Sequence, residues 1–73
     1  QGKGGLIQIG IFSVEANAKR AADTLAKAGV TATVRAEKSQ GKDFWSVTAT
    51  GGADVMAKIK SAGFADAYFL KRG

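Results

Sequence analysis

Apolar and polar residues follow a regular pattern in six successive stretches of this chain. Three of them alternate apolar with other positions, which predicts strands with one buried face, and the last is a short apolar run that also predicts a strand. In the other two, apolar residues recur every three to four positions, which predicts amphipathic helices. The predicted elements, in order, are a strand at 6–12, a helix at 14–28, strands at 30–37 and 44–50, a helix at 54–62 and a strand at 67–71.

The first strand and the start of the following helix form the most distinctive stretch. Ser13 is predicted to cap the helix by accepting free N–H groups, and Glu15 lies where the helix dipole favours an anion. A bare glycine backbone beside an amide side chain is typical of a surface against which a ligand lies. Strict alternation places Ile7, Ile9 and Ile11 on the buried face, and Gln8, Gly10 and Phe12 on the other.

The two predicted helices end in similar ways. Residues 25–30 (LAKAGV) resemble residues 59–64 (IKSAGF), and each segment is a helix end, a glycine cap and the apolar start of a strand. Two such β-α-β units predict an α+β fold, a ferredoxin-like βαββαβ sandwich. Its four-stranded antiparallel sheet would carry both helices on one face and leave the other face open.

The open face is the expected binding surface. Phe44 is the notable residue there, because an exposed aromatic ring invites stacking; alternatively its ring folds over the strand edge onto Trp45 or the turn at 38–43. Trp45 itself is predicted to face the core with Val47, and one of Tyr68 and Phe69 is expected to be buried and the other exposed. The predicted open-face residues of the first and third strands are Gln8, Gly10, Phe44, Ser46 and Thr48.

Composition restricts the chemistry. The 73 residues include no Cys and no His, which removes thiol nucleophiles, histidine acid–base catalysis and the usual transition-metal ligands. We therefore expect no enzyme activity, no metal and no cofactor. The chain shows no signal peptide and no apolar run long enough for a membrane span. Residues 1–5 are interpreted as a linker or expression remnant and 6–73 as the domain, a monomeric fragment of a longer protein that itself makes no membrane contact.

The net charge of +5 indicates an anionic partner. Charge alone leaves nucleic acid, anionic lipid and acidic polysaccharide open, as well as a role in solubility only.

Residues 7–13 (IQIGIFS), followed by Glu15-Ala16-Asn17-Ala18, resemble the signature of the SPOR (sporulation-related repeat) domain. In that family the first strand reads approximately apolar-Gln-apolar-Gly-small-Phe-Ser, and an Asn-Ala pair follows early in the helix. The resemblance extends from about Leu6 to Lys71. The chain departs from the family pattern at Ile11, where a smaller residue is usual, at Ser46, where Arg is usual, and after the third strand, which lacks a Gly-Pro ending.

The resemblance implies binding to bacterial peptidoglycan, especially to glycan strands stripped of their stem peptides at the division septum. It implies a parent protein of the cell envelope, periplasmic and septal in location. Stripping frees the lactyl carboxylate of N-acetylmuramic acid, so a denuded strand is a polyanion that suits a basic domain. The candidate glycan-binding residues are Gln8, Gly10, Ser13, Asn17, Phe44, Ser46, Thr48, Lys38, Lys42 and Lys71.

Besides Phe44, two of these candidates have structural alternatives, and the function has alternatives as well. Asn17 would also fit a side-chain bond to the backbone that ties the strand-to-helix corner, and Ser13 a purely capping role. A nucleic-acid-binding module of the same fold explains the charge, but the third strand lacks the basic-Gly-aromatic run of an RNA-recognition motif. A protein-interaction domain is the remaining alternative.

Overall fold

The strands and helices occur in the predicted order, and the α+β fold is confirmed. A computed structural model of the protein describes residues 5–70, in which four antiparallel strands form one sheet in the order β2-β3-β1-β4. Neither described helix is long and apolar enough to cross a membrane. The elements are β1 (Gly5–Phe12), α1 (Glu15–Lys27), β2 (Ala32–Ser39), β3 (Lys42–Gly51), α2 (Ala53–Ser61) and β4 (Tyr68–Phe69).

One hydrophobic core lies between the sheet and the helices. Both helices contribute to it, α1 through Ala18, Ala21 and Leu25 and α2 through Ile59. They therefore cover the same face of the sheet, and no described element covers the other, which we call the open face. The residues with the largest fully buried side chains are Ile7, Leu25, Ile59 and Val47.

Both helices end in the same hydrogen-bonded motif. After α1, the N–H of Val30 donates to the carbonyl of Leu25 (2.9 Å) and the N–H of Gly29 to that of Ala26 (3.0 Å). Gly29 has φ +88°, a backbone conformation that favours glycine. Residues 59–64 repeat the arrangement, with Gly63 at φ +110°. The two similar sequence segments thus form two equivalent helix ends.

The start of α1 differs from the prediction. Val14, rather than Ser13, is the extended residue before the helix, and no side chain caps the first turn. Ser13 is exposed in the bend that precedes the helix, so the predicted capping role is wrong by one position. Glu15 does lie in the first turn, where its carboxylate pairs with Lys19 at 3.5 Å.

The predicted polar turn between β2 and β3 is a two-residue hairpin turn. Gln40 (φ +51°) and Gly41 (φ +80°) both have positive φ, the conformation of the type I′ turn that matches the twist of adjacent strands. The tight turn sets the register of the hairpin, in which Ser39 pairs with Lys42 and Lys38 with Asp43.

Gly51 allows the end of β3 to approach α2 closely. A Cβ atom at this position would lie 2.4 Å from Cγ2 of Val55, which is below any real contact distance. Val55 is half-buried and packs against the core, so it has little freedom to move away.

We expect Gly51→Ala to lower the free energy of unfolding by about 2 kcal/mol, because overpacking forces side chains and backbone to shift. Urea denaturation followed by tryptophan fluorescence measures this change. In the Val55→Ala background the same substitution is expected to cost much less, since the colliding methyl groups are gone. An equal cost in both backgrounds would contradict the proposed collision.

Candidate functional site

The pairing of β1 with β3 contains a β-bulge. Gln8 pairs with Thr48 and Gly10 pairs with Val47, so β1 has one more residue than β3 at this point. A bulge leaves both of its residues opposite a single partner and shifts the alternation of side chains by one position.

This bulge overturns the predicted alternation beyond Ile9. Ile7 and Ile9 are buried as predicted, but Ile11 is 64% exposed, and Phe12 instead packs against the core. Gly10 is also on the helix-covered side, because a Cβ atom there would lie 3.1 Å from the ring of Phe12. Its predicted place on the open face is therefore wrong, and its lack of a side chain accommodates that ring.

The side chain of Gln8 is held by the bulge. It projects from the open face beside Thr48, and its Nε2 donates a hydrogen bond to the carbonyl oxygen of Gly10 at 3.2 Å. This bond uses one of the donors of the amide and leaves its oxygen as an acceptor. Gln8 thus fixes the local backbone and still offers hydrogen-bonding groups on the open face.

Four polar side chains form a continuous row across the open face. Thr48 lies opposite Thr33 of β2 on one side and Gln8 of β1 on the other, and Gln8 in turn lies opposite Tyr68 of β4. Paired residues of antiparallel strands project from the same face. The row, which we call the polar row, spans about 14 Å from β2 to β4, since neighbouring strands are about 4.8 Å apart.

Apolar surface flanks the polar row. Ile11 lies in the next row, opposite Ser46, and Leu6 lies on the other side, opposite Thr50. Leu6 and Tyr68 are 42% and 54% exposed. The open face therefore alternates hydrogen-bonding groups with apolar patches, which suits a ligand that has polar edges and apolar faces.

The structure divides the predicted site residues among several places. Gln8, Phe44, Ser46 and Thr48 lie on the open face, where Phe44 is half-buried and Ser46 is only 8% exposed. Ser13 is at the bend before α1, and Gly10 and Asn17 are not on the open face. Lys38 and Lys42 flank the hairpin turn, and Lys71 lies outside the described residues.

Asn17 is exposed on α1 and lines a groove with Phe12 and Arg20 on the helix-covered side. Within residues 5–70 its side chain forms no hydrogen bond, so the alternative of a side-chain tie across the strand-to-helix corner is wrong.

The expectation for Tyr68 and Phe69 is also wrong, because both are exposed, at 54% and 45%. They lie on a two-residue strand at the edge of the sheet, where neither face is fully covered. Trp45, by contrast, does pack against the core as predicted, together with Val47.

Ile11, Leu6 and Thr33 are among the open-face residues that sequence reasoning missed, and it left open which of Tyr68 and Phe69 would be exposed. Tyr68 and Thr33 lie on the polar row because of how their strands pair with β1 and β3. The register of strand pairing cannot be predicted from a local sequence pattern. A signal for Ile11 was present, since two large apolar residues, Ile11 and Phe12, end the strand together and only one of them can face the core.

Charge on the open face is largely balanced. Arg35 lies opposite Ser46 and its Nε is 3.8 Å from a carboxylate oxygen of Glu37, on the same strand. Near the hairpin turn, Lys38 is 3.9 Å from Asp43, and this pair projects from the other face of the sheet. Eight of the eleven basic residues and all six acidic residues lie within residues 5–70, which gives this part of the chain a net charge of +2. On the open face itself the described bases are Arg35, which is paired with Glu37, and Lys42 beside the hairpin turn.

A profile of the SPOR domain family matches residues 1–71, nearly the whole chain. The chain thus belongs to the SPOR domain family, a family of binding domains known for peptidoglycan binding and found in bacterial envelope proteins. Comparison with curated proteins and with solved structures gives no significant match.

We expect Phe12→Ala to lower the free energy of unfolding by about 2 kcal/mol, because the ring packs on the core. Ile11→Ala is expected to change it by less than about 0.5 kcal/mol, since the side chain is mostly exposed. Chemical denaturation of the two variants measures the free energy of unfolding of each and so shows which substitution costs more. If β1 had no bulge, Ile11 would face the core and Phe12 would be exposed, so Ile11→Ala would be the more destabilising substitution.

Proposed function

We propose that this domain binds peptidoglycan glycan strands that lack stem peptides, and that it binds them along the open face. The observation that carries the proposal is the polar row of Thr33, Thr48, Gln8 and Tyr68, which presents a hydrogen-bonding group on every strand of the sheet. A glycan strand laid along this row meets amide and hydroxyl partners for its N-acetyl and hydroxyl groups at each step.

The apolar residues beside the row support a carbohydrate ligand. Sugar rings have apolar faces that stack on aromatic and aliphatic side chains. Tyr68 offers such a face at one end of the row, and Ile11 and Leu6 offer aliphatic surface beside its centre. Phe44, half-buried at the hairpin end, extends this surface toward Glu37 of β2.

Selectivity for stripped strands would come from the hairpin end of the open face. Removal of the stem peptide frees a carboxylate on each muramic acid. Arg35 and Lys42 lie on the open face at this end, whereas Lys38 pairs with Asp43 and projects from the other face of the hairpin. The ion pair between Arg35 and Glu37 is long and exposed, so it contributes little and can be exchanged for a ligand carboxylate. Removal of the peptide would also eliminate a bulky substituent that the flat sheet cannot enclose.

The biological role that follows is localisation. Denuded strands arise where amidases act on the septal wall, so a domain with this selectivity would bring its parent envelope protein to the division site. Binding, not catalysis, is the proposed activity.

The proposal is tested by co-sedimentation of the domain with purified sacculi before and after amidase treatment. We expect pelleting to increase several-fold after stem peptides are removed. Equal pelleting that disappears in 0.5 M salt would indicate unspecific charge attraction and contradict the proposal. Retention of the domain by single-stranded RNA but not by sacculi would favour the nucleic-acid alternative.

Variants of the polar row locate the site in the same assay. Tyr68→Ala is expected to weaken binding to stripped sacculi about fivefold to tenfold, because a stacked aromatic ring contributes on the order of 1 kcal/mol. Thr48→Val removes one hydroxyl at constant shape and should also weaken binding. Thr24→Val, on the helix-covered side, is the matched control and should bind normally.

Charge selectivity is tested by comparing Lys42→Gln with Lys60→Gln. Lys42 flanks the hairpin turn next to the open face, whereas Lys60 lies on α2 behind the sheet. We expect Lys42→Gln to reduce the difference between stripped and intact sacculi about twofold to threefold, and Lys60→Gln to leave it unchanged. Equal effects of the two variants would show that net charge, rather than position, governs binding.

A further inference from the structure

A groove of about 260 Å³ lies on the helix-covered side of the domain, where β1 leads into α1. It is separate from the open face, because Phe12, which forms one wall, projects from β1 toward the helices. Its lining residues are Phe12, Asn17, Arg20, Ala21, Thr24 and Phe64.

The walls of the groove are mainly apolar. The half-buried rings of Phe12 and Phe64 line it, and both also pack against the core, so the walls are held in place. Thr24 donates its hydroxyl to the carbonyl of Arg20 at 3.0 Å. That hydroxyl is therefore already satisfied and does not add a free donor to the groove.

Two polar side chains give the groove a chemical preference. Arg20 forms no ion pair within residues 5–70, and no carboxylate lines the groove. Its guanidinium group suits a carboxylate, which it can bind through two parallel hydrogen bonds. The amide of Asn17 offers both a donor and an acceptor, as a peptide group requires.

We propose that this groove docks an acidic peptide segment of a partner protein. An apolar side chain of that segment would occupy the space between Phe12 and Phe64, and a neighbouring Asp or Glu would bind Arg20. Asn17 would hydrogen-bond the peptide backbone between them. Residues 1–4 and 71–73 contain bases and no acidic side chain, so these seven residues do not supply such a segment.

This inference goes beyond glycan binding, because the groove and the polar row lie on opposite faces of the sheet. A ligand on one surface does not obstruct the other. The domain would then join a glycan strand to a protein.

The test is an NMR titration of the isotope-labelled 73-residue chain with the blocked peptide acetyl-Glu-Leu-Phe-Glu-amide. We expect saturable shifts of the amides of Phe12, Asn17, Arg20 and Phe64. The analogue with Gln in place of both Glu residues should bind at least fivefold more weakly, and the Lys analogue weaker still. Equal affinity of the three peptides, no saturable shift, or shifts confined to the open face would overturn the proposal.

Substitutions on α1 provide the matched controls. Arg20→Gln is expected to weaken binding of the acidic peptide at least fivefold, Arg20→Lys to retain part of it, and Lys27→Gln to change it less than twofold. Both positions are exposed, so the three variants should fold. Arg20→Gln should pellet with stripped sacculi like the wild type, which separates this proposal from the proposed function. Loss of sacculus binding in Arg20→Gln would instead assign the groove to the glycan site and overturn peptide docking.

Discussion

The β-bulge at Ile9 and Gly10 is the constraint on which both surfaces of the sheet depend. Because two residues of β1 face a single residue of β3, Ile9 can fill the core while Phe12, three positions later, also reaches it. The residue between the bulge and Phe12, Ile11, is thereby turned outward. Without the bulge Phe12 would project from the open face, and the groove on the other side would lose a wall.

Two neighbouring side chains make this bulge compatible with the rest of the domain. Gly10 leaves room for the ring of Phe12, which a Cβ atom would approach to a tight 3.1 Å. Gln8 donates a hydrogen bond to the carbonyl of Gly10, which stabilises the irregular backbone. The stretch that resembles the family signature most closely therefore has a structural reason for its Gln, Gly and Phe, in addition to any contact with a ligand.

Local rules were sufficient to predict the elements and the helix ends. The glycines after each helix, the spacing of small apolar residues on α1 and the turn at Gln40 and Gly41 all depend on neighbours in sequence, and the structure contains each of them. The register of β1 could not be predicted in this way, since its last two residues are both large and apolar and a period of two cannot locate an inserted residue. The polar row depends on pairing between four strands that are distant in sequence. Tyr68 and Phe69 were misjudged because burial at a sheet edge depends on what lies beside it, not on alternation.

Because β4 is short, the β4 edge of the open face is held less firmly than the rest of the sheet. Within residues 5–70, two residues of this strand pair with β1, followed by one further hydrogen bond from the N–H of Leu70 to the carbonyl of Leu6. Edge segments with so few hydrogen bonds open at low free energy, whereas the long β2–β3 hairpin and β1 stay closed. Tyr68 therefore belongs to the part of the sheet that frays most readily, and a ligand that engages it must also order this edge. Part of the interaction energy is then offset by lost conformational entropy, so stiffening β4 would tighten binding without adding a single contact.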